Sequence, residues 1–516
     1  MRKILHVWLV ALIVLTSCQK VEQFSEQAPV QEKSMLQNSV ERIPFGLESL
    51  TASDAQTVAV LFSEKQFKVQ KTPMVSTATR SGSEQEVITN ESGEIIAYVV
   101  NYEDGGFCLV SATTQLNPIL AYNDTGAFDV SVIDNSGLSI WVSDLCTAYE
   151  NTELLSDEEQ FAISQEWMEY QEALGIVDDV IVSNTSDYSD PDMYAAFNEK
   201  MGQYGAESGY SAYPLSQATN ALPSYTLSLF KSAATYYGCP EQYAIVVIEP
   251  TYEYKEVGPL VTTNWYQRGI YNDCVPDEDP AGCVAIAMTQ IMNYHRYPNY
   301  FDWDAIAEEG IECSQFVYDV GVAAETKYGA NGSSSTINKA SDALNNYGYT
   351  TEIYEDSDLS VKNEIINYKR PVYLRGQSSG FIFLDDGHAW LCSGATSYDE
   401  TKIYKLYTIK KTSSNDYYYS DQNDSYSDYY YNKTTYHHNW GWGLYSGNGW
   451  YEDLYPVNDS TGDYYVHNTK AMQIIRPEDN IEDDNNDIDD DDGIVDFIPI
   501  DSLPVIVIPP SIYNVN

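Results

Sequence analysis

The stretch PAGCVAIAMTQIMNYHRYP, residues 280–298, constrains the fold of this 516-residue chain more than any other segment. Proline is accommodated in the first turn of a helix and cannot continue one, so Pro280 and Pro298 bracket about four helical turns. Val284, Ala287, Met288, Ile291 and Met292 fall at offsets of 0, 3, 4, 7 and 8, which is one apolar stripe that must be buried. Downstream the pattern changes. PVYLRG (371–376), GHAWLCSGATSY (387–398), YKLYTIKK (404–411) and GNGWYEDLYP (447–456) are short β-rich runs bounded by turn residues. A buried helix followed by antiparallel strands predicts an α+β body with two lobes.

A smaller unit precedes it. Residues 88–132 alternate β-rich runs with turn signals such as Glu103-Asp104-Gly105-Gly106, which predicts antiparallel strands joined by tight turns. Residues 139–175 take helical spacing and stop at Gly175. Residues 183–215 are rich in Ser, Asn, Asp, Gly and Tyr with little periodicity, so a loop or insertion is expected there. The tyrosine-rich stretch 412–436 is expected to be a surface loop or hairpin.

The two ends speak to location and partners. Arg2 and Lys3 precede the apolar run Ile4–Val14, too short to span a bilayer, and Leu15-Thr16-Ser17-Cys18 closes it. This is a signal peptide whose ending resembles a bacterial lipobox, with Cys18 as the lipidation site. The polar segment 19–42 follows as a tether, and the chain is expected to be exported and membrane-anchored, at the cell surface or in the periplasm, or released after processing. A net charge of −50 argues against nucleic acid, whose phosphates need local cationic density. Residues 478–496 carry eleven carboxylates and no cation, and are expected to stay solvated and disordered. A calcium loop starting at Asp487 fails, because its sixth position is Asp492 rather than glycine and its twelfth is Ile498. The eight cysteines lack any C-x-x-C spacing, so no zinc site is indicated. Apart from the lipid site and a nucleophile, most are expected to be small buried hydrophobes, with disulfides allowed by export.

Cys283 is the candidate nucleophile, and an ordinary buried core cysteine is the competing reading from spacing alone. A helix N-terminus lowers a thiol pKa through its unpaired N–H groups and positive dipole end, and Cys283 stands at such a place. A base is still required. Of the six histidines, His6 lies in the signal, and His295 is twelve residues down the same helix, about 18 Å away, beyond the reach of the thiol. His388 follows a Gly387 turn at the head of a strand, where a base can be held rigidly. His437 and His438 precede NWGWG, and His467 lies in a late strand-like stretch.

Several segments together resemble the streptopain family of bacterial cysteine peptidases. GCVAIAMTQIMNYHRYP is similar to that family's nucleophile helix, GHAWLCSGA to its base strand, HHNWGWG to its third-member segment and NWYQRGIYN to its oxyanion-hole stretch. Residues 98–129 resemble its propeptide, which folds separately and blocks the active site. The resemblance implies a papain-like fold, a helical lobe plus an antiparallel β lobe, behind a small α+β propeptide domain. It implies Cys283 as nucleophile, His388 as general base and acid, Gln267 as an oxyanion donor, Asn439 as the group orienting the imidazole, and Trp440 as a shield over that pair.

The expected organisation is a lipoprotein signal peptide at 1–18, the tether at 19–42, a propeptide with a long linker or insertion at 43–250, a peptidase domain at 251–476 and an acidic tail at 477–516. The expected activity is that of a cysteine endopeptidase made as a zymogen, with no metal or cofactor. Its partners would be protein or peptide substrates, its own propeptide as inhibitor, and a membrane reached through the lipid anchor. The competing expectation is a catalytically silent surface binding or adhesion protein on the same fold.

Overall fold

The computed structural model describes residues 49–69, 82–135, 137–175, 190–206, 209–355, 358–376, 387–452 and 470–477, all within the compact unit Pro44–Asn516. The expected signal peptide with Cys18, the tether, His467 and the acidic run 478–496 lie outside the described residues.

The first layer is α1 (Ala52–Val69) packed on the antiparallel strands β1 (Gly82–Thr89), β2 (Ile95–Tyr102), β3 (Phe107–Ser111) and β4 (Ile119–Asn123). Every residue of β3 is buried, because both faces of this sheet are covered. Cys108 and Val110 join α1 and α3 (Asp157–Met168) in one core, while Phe107 and Leu109 join α2 (Leu138–Glu150) in another. α3 begins at a capping box: the Ser156 hydroxyl accepts from Glu159 N at 3.2 Å, and the Glu159 carboxylate accepts from Ser156 N at 2.7 Å.

Residues 190–250, expected to open as a loop and continue as linker or insertion, form α4 (Pro191–Gly205), β5 (Ser211–Pro214), α5 (Ser224–Tyr236) and the first part of β6 (Ile245–Val257). Asp190 caps α4 by accepting from the amides of Asp192 and Met193, with Pro191 in the first turn. The helix was hard to see in the sequence because Phe197 and Tyr204, two turns apart, are its only fully buried residues.

The next helices are α6 (Cys283–His295), α7 (Trp303–Ala307), α8 (Ile311–Ala323) and α9 (Ile337–Asn346), followed by β7 (Thr350–Glu355), α10 (Asp358–Ile366) and β8 (Val372–Gly376). Strands then dominate: β9 (His388–Tyr407), β10 (Ile409–Lys411), β11 (Tyr417–Tyr419), β12 (Ser425–Asn439), β13 (Gly449–Glu452) and β14 (Lys470–Ile475). The α+β expectation holds, with helices clustered on α6 and an antiparallel β body beside them. α6 is buried on more than its predicted stripe: Ala285, Ile286, Thr289 and Gln290 are buried too, because α8, α9 and β9 surround it. Each large apolar side chain it buries contributes about 1.5–3 kcal/mol.

One twelve-stranded sheet, counted among the described residues, runs β1-β2-β3-β4-β13-β12-β9-β8-β14-β7, with β6 and β5 added along β9. β4 pairs with β13 through Tyr122 opposite Trp450 and Ala121 opposite Tyr451, so the N-terminal sheet and the β lobe are continuous. The tyrosine-rich stretch supplies β11 and most of β12, and β12 and β6 flank β9 on opposite sides. Their outer halves share a separate core with α4 and α5, including Phe197, Phe230, Val246, Tyr404 and Tyr429.

Candidate active site

Gly282 leads into α6 at φ 92 and ψ 140, a conformation that costs a residue with a Cβ appreciable strain. A Cβ there would also stand 3.2 Å from the Ser333 carbonyl oxygen. The turn sets Cys283, partly buried, at the first position of the helix. Burial pushes its thiol up, and the opposing influences are the amide of Ala389, the Arg375 charge and the N–H groups of Val284 and Cys283 itself.

The Ala389 contact is decisive for geometry. Ala389 follows His388, the first residue of β9, and its backbone amide is near enough to the Cys283 sulfur to favour the thiolate. The strand that carries the expected base therefore begins beside the expected nucleophile. β8 runs alongside, with Gly376 opposite His388 and Arg375 opposite Ala389. Arg375 donates from Nη1 to the Ser335 carbonyl oxygen at 3.0 Å, which fixes a cation near the thiol. Sequence reasoning passed over Arg375, since its place follows only from strand pairing.

Gln267 is buried, and its carbonyl oxygen accepts from Ala281 N at 2.8 Å, two residues before Cys283. Its neighbour Tyr266 bridges to Trp442, so the segments around Gln267 and Asn439 run side by side. Asn439 sits opposite Leu391 at the end of β12. Its Nδ2 donates to the Thr263 carbonyl at 2.7 Å and to Gln290 Oε1 at 3.1 Å, and its Oδ1 accepts from Gly441 N at 3.1 Å. Gln290, fully buried two turns down α6 from Cys283, also accepts from Thr263 Oγ1 at 2.9 Å and Trp265 N at 3.2 Å. It ties the helix, the Gln267 segment and Asn439 together. No motif announced it, because a glutamine in an apolar helix looks like an ordinary polar interruption.

Trp440 is buried with its ring 5.5 Å from Trp390, 4.8 Å from His438 and 5.2 Å from Tyr451, and its Nε1 donates to the Gly447 carbonyl. Gly137, which leads into α2, lies against the same Trp390 and Trp440 rings. His437 and His438 are neutral packing groups: burial pulls them down to about 4 and about 3. His437 Nδ1 meets Ser393 Oγ at 2.8 Å, and His438 Nδ1 accepts from Trp390 Nε1 at 3.3 Å. His295 packs against Tyr294 and Tyr349 at the far end of α6. Among the described residues no cluster of three His, Cys, Asp or Glu could hold a metal. The arrangement can present a thiol at a helix start, beside an imidazole-bearing strand and a buried amide.

Residues 47–149 match the family described as Spi protease inhibitor, and residues 265–305 and 299–451 match the Peptidase C10 family. No curated protein matches the chain. Among solved structures it is similar to a mutant fragment of prointerpain A from Prevotella intermedia, at 15% identity over 76% of this chain and 98% of that one, with a TM-score of 0.39.

Proposed function

Because the chain belongs to the Peptidase C10 family, the streptopain family of papain-like cysteine peptidases, with a Spi inhibitor domain ahead of the peptidase, we propose that it is the zymogen of an exported endopeptidase acting through Cys283 and His388. The Cys283 thiolate attacks the scissile carbonyl carbon, and the carbonyl electron pair moves onto oxygen. The Cys283 N–H and the Gln267 side-chain amide donate to that oxyanion, and loss of one such donor typically slows reaction about a hundredfold or more. Collapse breaks the C–N bond as the His388 imidazolium gives its proton to the leaving amine. Water, deprotonated by His388, then cleaves the thioester.

Asn439 is held by three partners and so offers a fixed group behind the base strand, in line with an orienting role. Trp440, packed on Trp390 and His438, shields the root of that strand from water. The observation that carries the reading is the closeness of the Ala389 amide to the Cys283 sulfur, with β9 packed on α6, which puts the start of the His388 strand beside the thiol.

Cys283→Ala in the full chain should abolish both hydrolysis of protein substrates and self-processing. An electrophilic thiol probe should label the processed parent and leave the variant unlabelled. Unchanged proteolysis by the variant would overturn the mechanism. The location outside the cytoplasm and the lipid on Cys18 are proposed from the N-terminal sequence.

A further inference from the structure

The junction between the inhibitor domain and the β lobe buries an acidic residue. Glu452, the last residue of β13, and Asn117, in the turn before β4, are each only 4% exposed. Asn117 Nδ2 donates to Glu452 Oε1 in a short contact. The other oxygen of each group, Glu452 Oε2 and Asn117 Oδ1, is buried with no hydrogen-bond partner. Two orphaned acceptors on groups already joined at their other ends are costly as a carboxylate facing an amide. A proton on Glu452 Oε2, shared with Asn117 Oδ1, would satisfy both.

We propose that Glu452 is the neutral acid in the docked zymogen, its Oε2–H donating to Asn117 Oδ1 while Asn117 Nδ2 donates to Oε1, and that loss of this proton loosens the inhibitor domain. The contact spans the two domains. Asn117 belongs to the segment matched as protease inhibitor, while Glu452 lies one residue beyond the peptidase match on a strand paired with β12.

β12 brings Lys433, whose Nζ is 3.3 Å from Glu452 Oε1 and 2.7 and 2.8 Å from the Glu166 oxygens of α3. Tyr431 of β12 donates to the same Glu166, and Tyr122 of β4 lies within the field of Lys433. α2 presents Trp141, whose Nε1 donates to the Glu452 carbonyl at 3.2 Å. One cation thus serves two carboxylates, and Glu166 holds it more closely. Burial, opposed by Lys433, pushes the Glu452 carboxyl from its ordinary 4.5 up to about 7.

The sign follows from proton counting. Between about pH 4.5 and about pH 7 the docked state binds more protons at Glu452 than the opened state does, so docking weakens as pH rises through that window and levels off above it.

The proposal rests on residues 47–149 acting as the inhibitor domain, and its test is independent of catalysis. Deuterium exchange of the β4 and β13 amides, corrected for intrinsic rates, is followed in the full-length Cys283→Ala chain with and without Glu452→Gln. In the parent the opening equilibrium should rise on the order of a hundredfold from about pH 5 to about pH 7. Glu452→Gln, whose amide can both donate and accept, should stay flat near the low-pH value, with α6 protection unchanged as the control for folding. Asn117→Leu, which removes the ring partner, should open more than the parent at about pH 5. The same pH dependence in the parent and Glu452→Gln, or an Asn117→Leu chain that opens no more than the parent at about pH 5, would overturn the proposal.

Discussion

Arg375 shows how a side chain without a motif can matter to a thiol. Its guanidinium is anchored on Ser335 and its charge favours the thiolate of Cys283, against a burial penalty that pushes the thiol up. Arg375→Gln removes that charge, so the thiol must rise further and the acid limb of kcat/KM, like the pH profile of iodoacetamide alkylation, should move to higher pH. Arg375→Lys keeps a cation and should restore much of the limb. An unmoved limb in Arg375→Gln would exclude the role. At this scale Cys283 and His388 were legible in sequence as candidates, because a cysteine at a helix start and a histidine at a strand head are local patterns. Arg375 and Gln290 were not, because each matters through a partner on another element: Ala389 across a strand pair for one, Asn439 and Thr263 for the other.

At the scale of the element, α6 was the clearest feature of the chain. Two prolines and one apolar stripe marked its limits, and the helix runs Cys283–His295 as that pattern requires. Its start depends on Gly282, which holds a positive φ beside Ser333. Gly282→Ala should cost about 1–3 kcal/mol of stability through backbone strain, visible in thermal unfolding. Because Cys283 is the next residue, kcat should fall with it, and a variant of parental stability and activity would show that the turn is not constrained. α4 escaped notice because its buried face is sparse, and the tyrosine-rich stretch looked like a low-complexity loop or hairpin. Its tyrosines are apolar enough to pack once β9 and β6 provide a surface, and β12 pairs with β9 from Ser425 to Asn439.

For the whole molecule the main finding is continuity. The inhibitor sheet runs into the β lobe through β4 and β13, while residues 191–257 build an accessory lobe on the outer halves of β9 and β12. β6 pairs with β9 along its whole length, from Ile245 to Val257. Releasing that segment would expose a buried core and break an entire strand pairing, so we place the boundary between removable and retained chain ahead of Pro191 rather than near residue 251. Intact mass and N-terminal sequencing of the self-processed enzyme should show an active species that retains 191–257. An active species beginning after Val257 would refute this. The same mass measurement on the N-terminal fragment reports whether Cys18 carries acyl groups.

By itself the sequence determined what depends on neighbours a few residues apart: the limits of α6, the cysteine at its head, the strand that begins at His388 and the small strand unit at the N-terminus. Helical and strand periods and turn chemistry act over that range, so they are written in consecutive residues. Only the tertiary structure decided what those elements meet. Gln290 reaching Asn439, Arg375 standing near Cys283, the accessory lobe seated on β9 and Asn117 pairing with Glu452 all join positions far apart in the chain. Such contacts are selected by the burial of apolar faces and the satisfaction of buried polar groups in the assembled fold, and no local period encodes them.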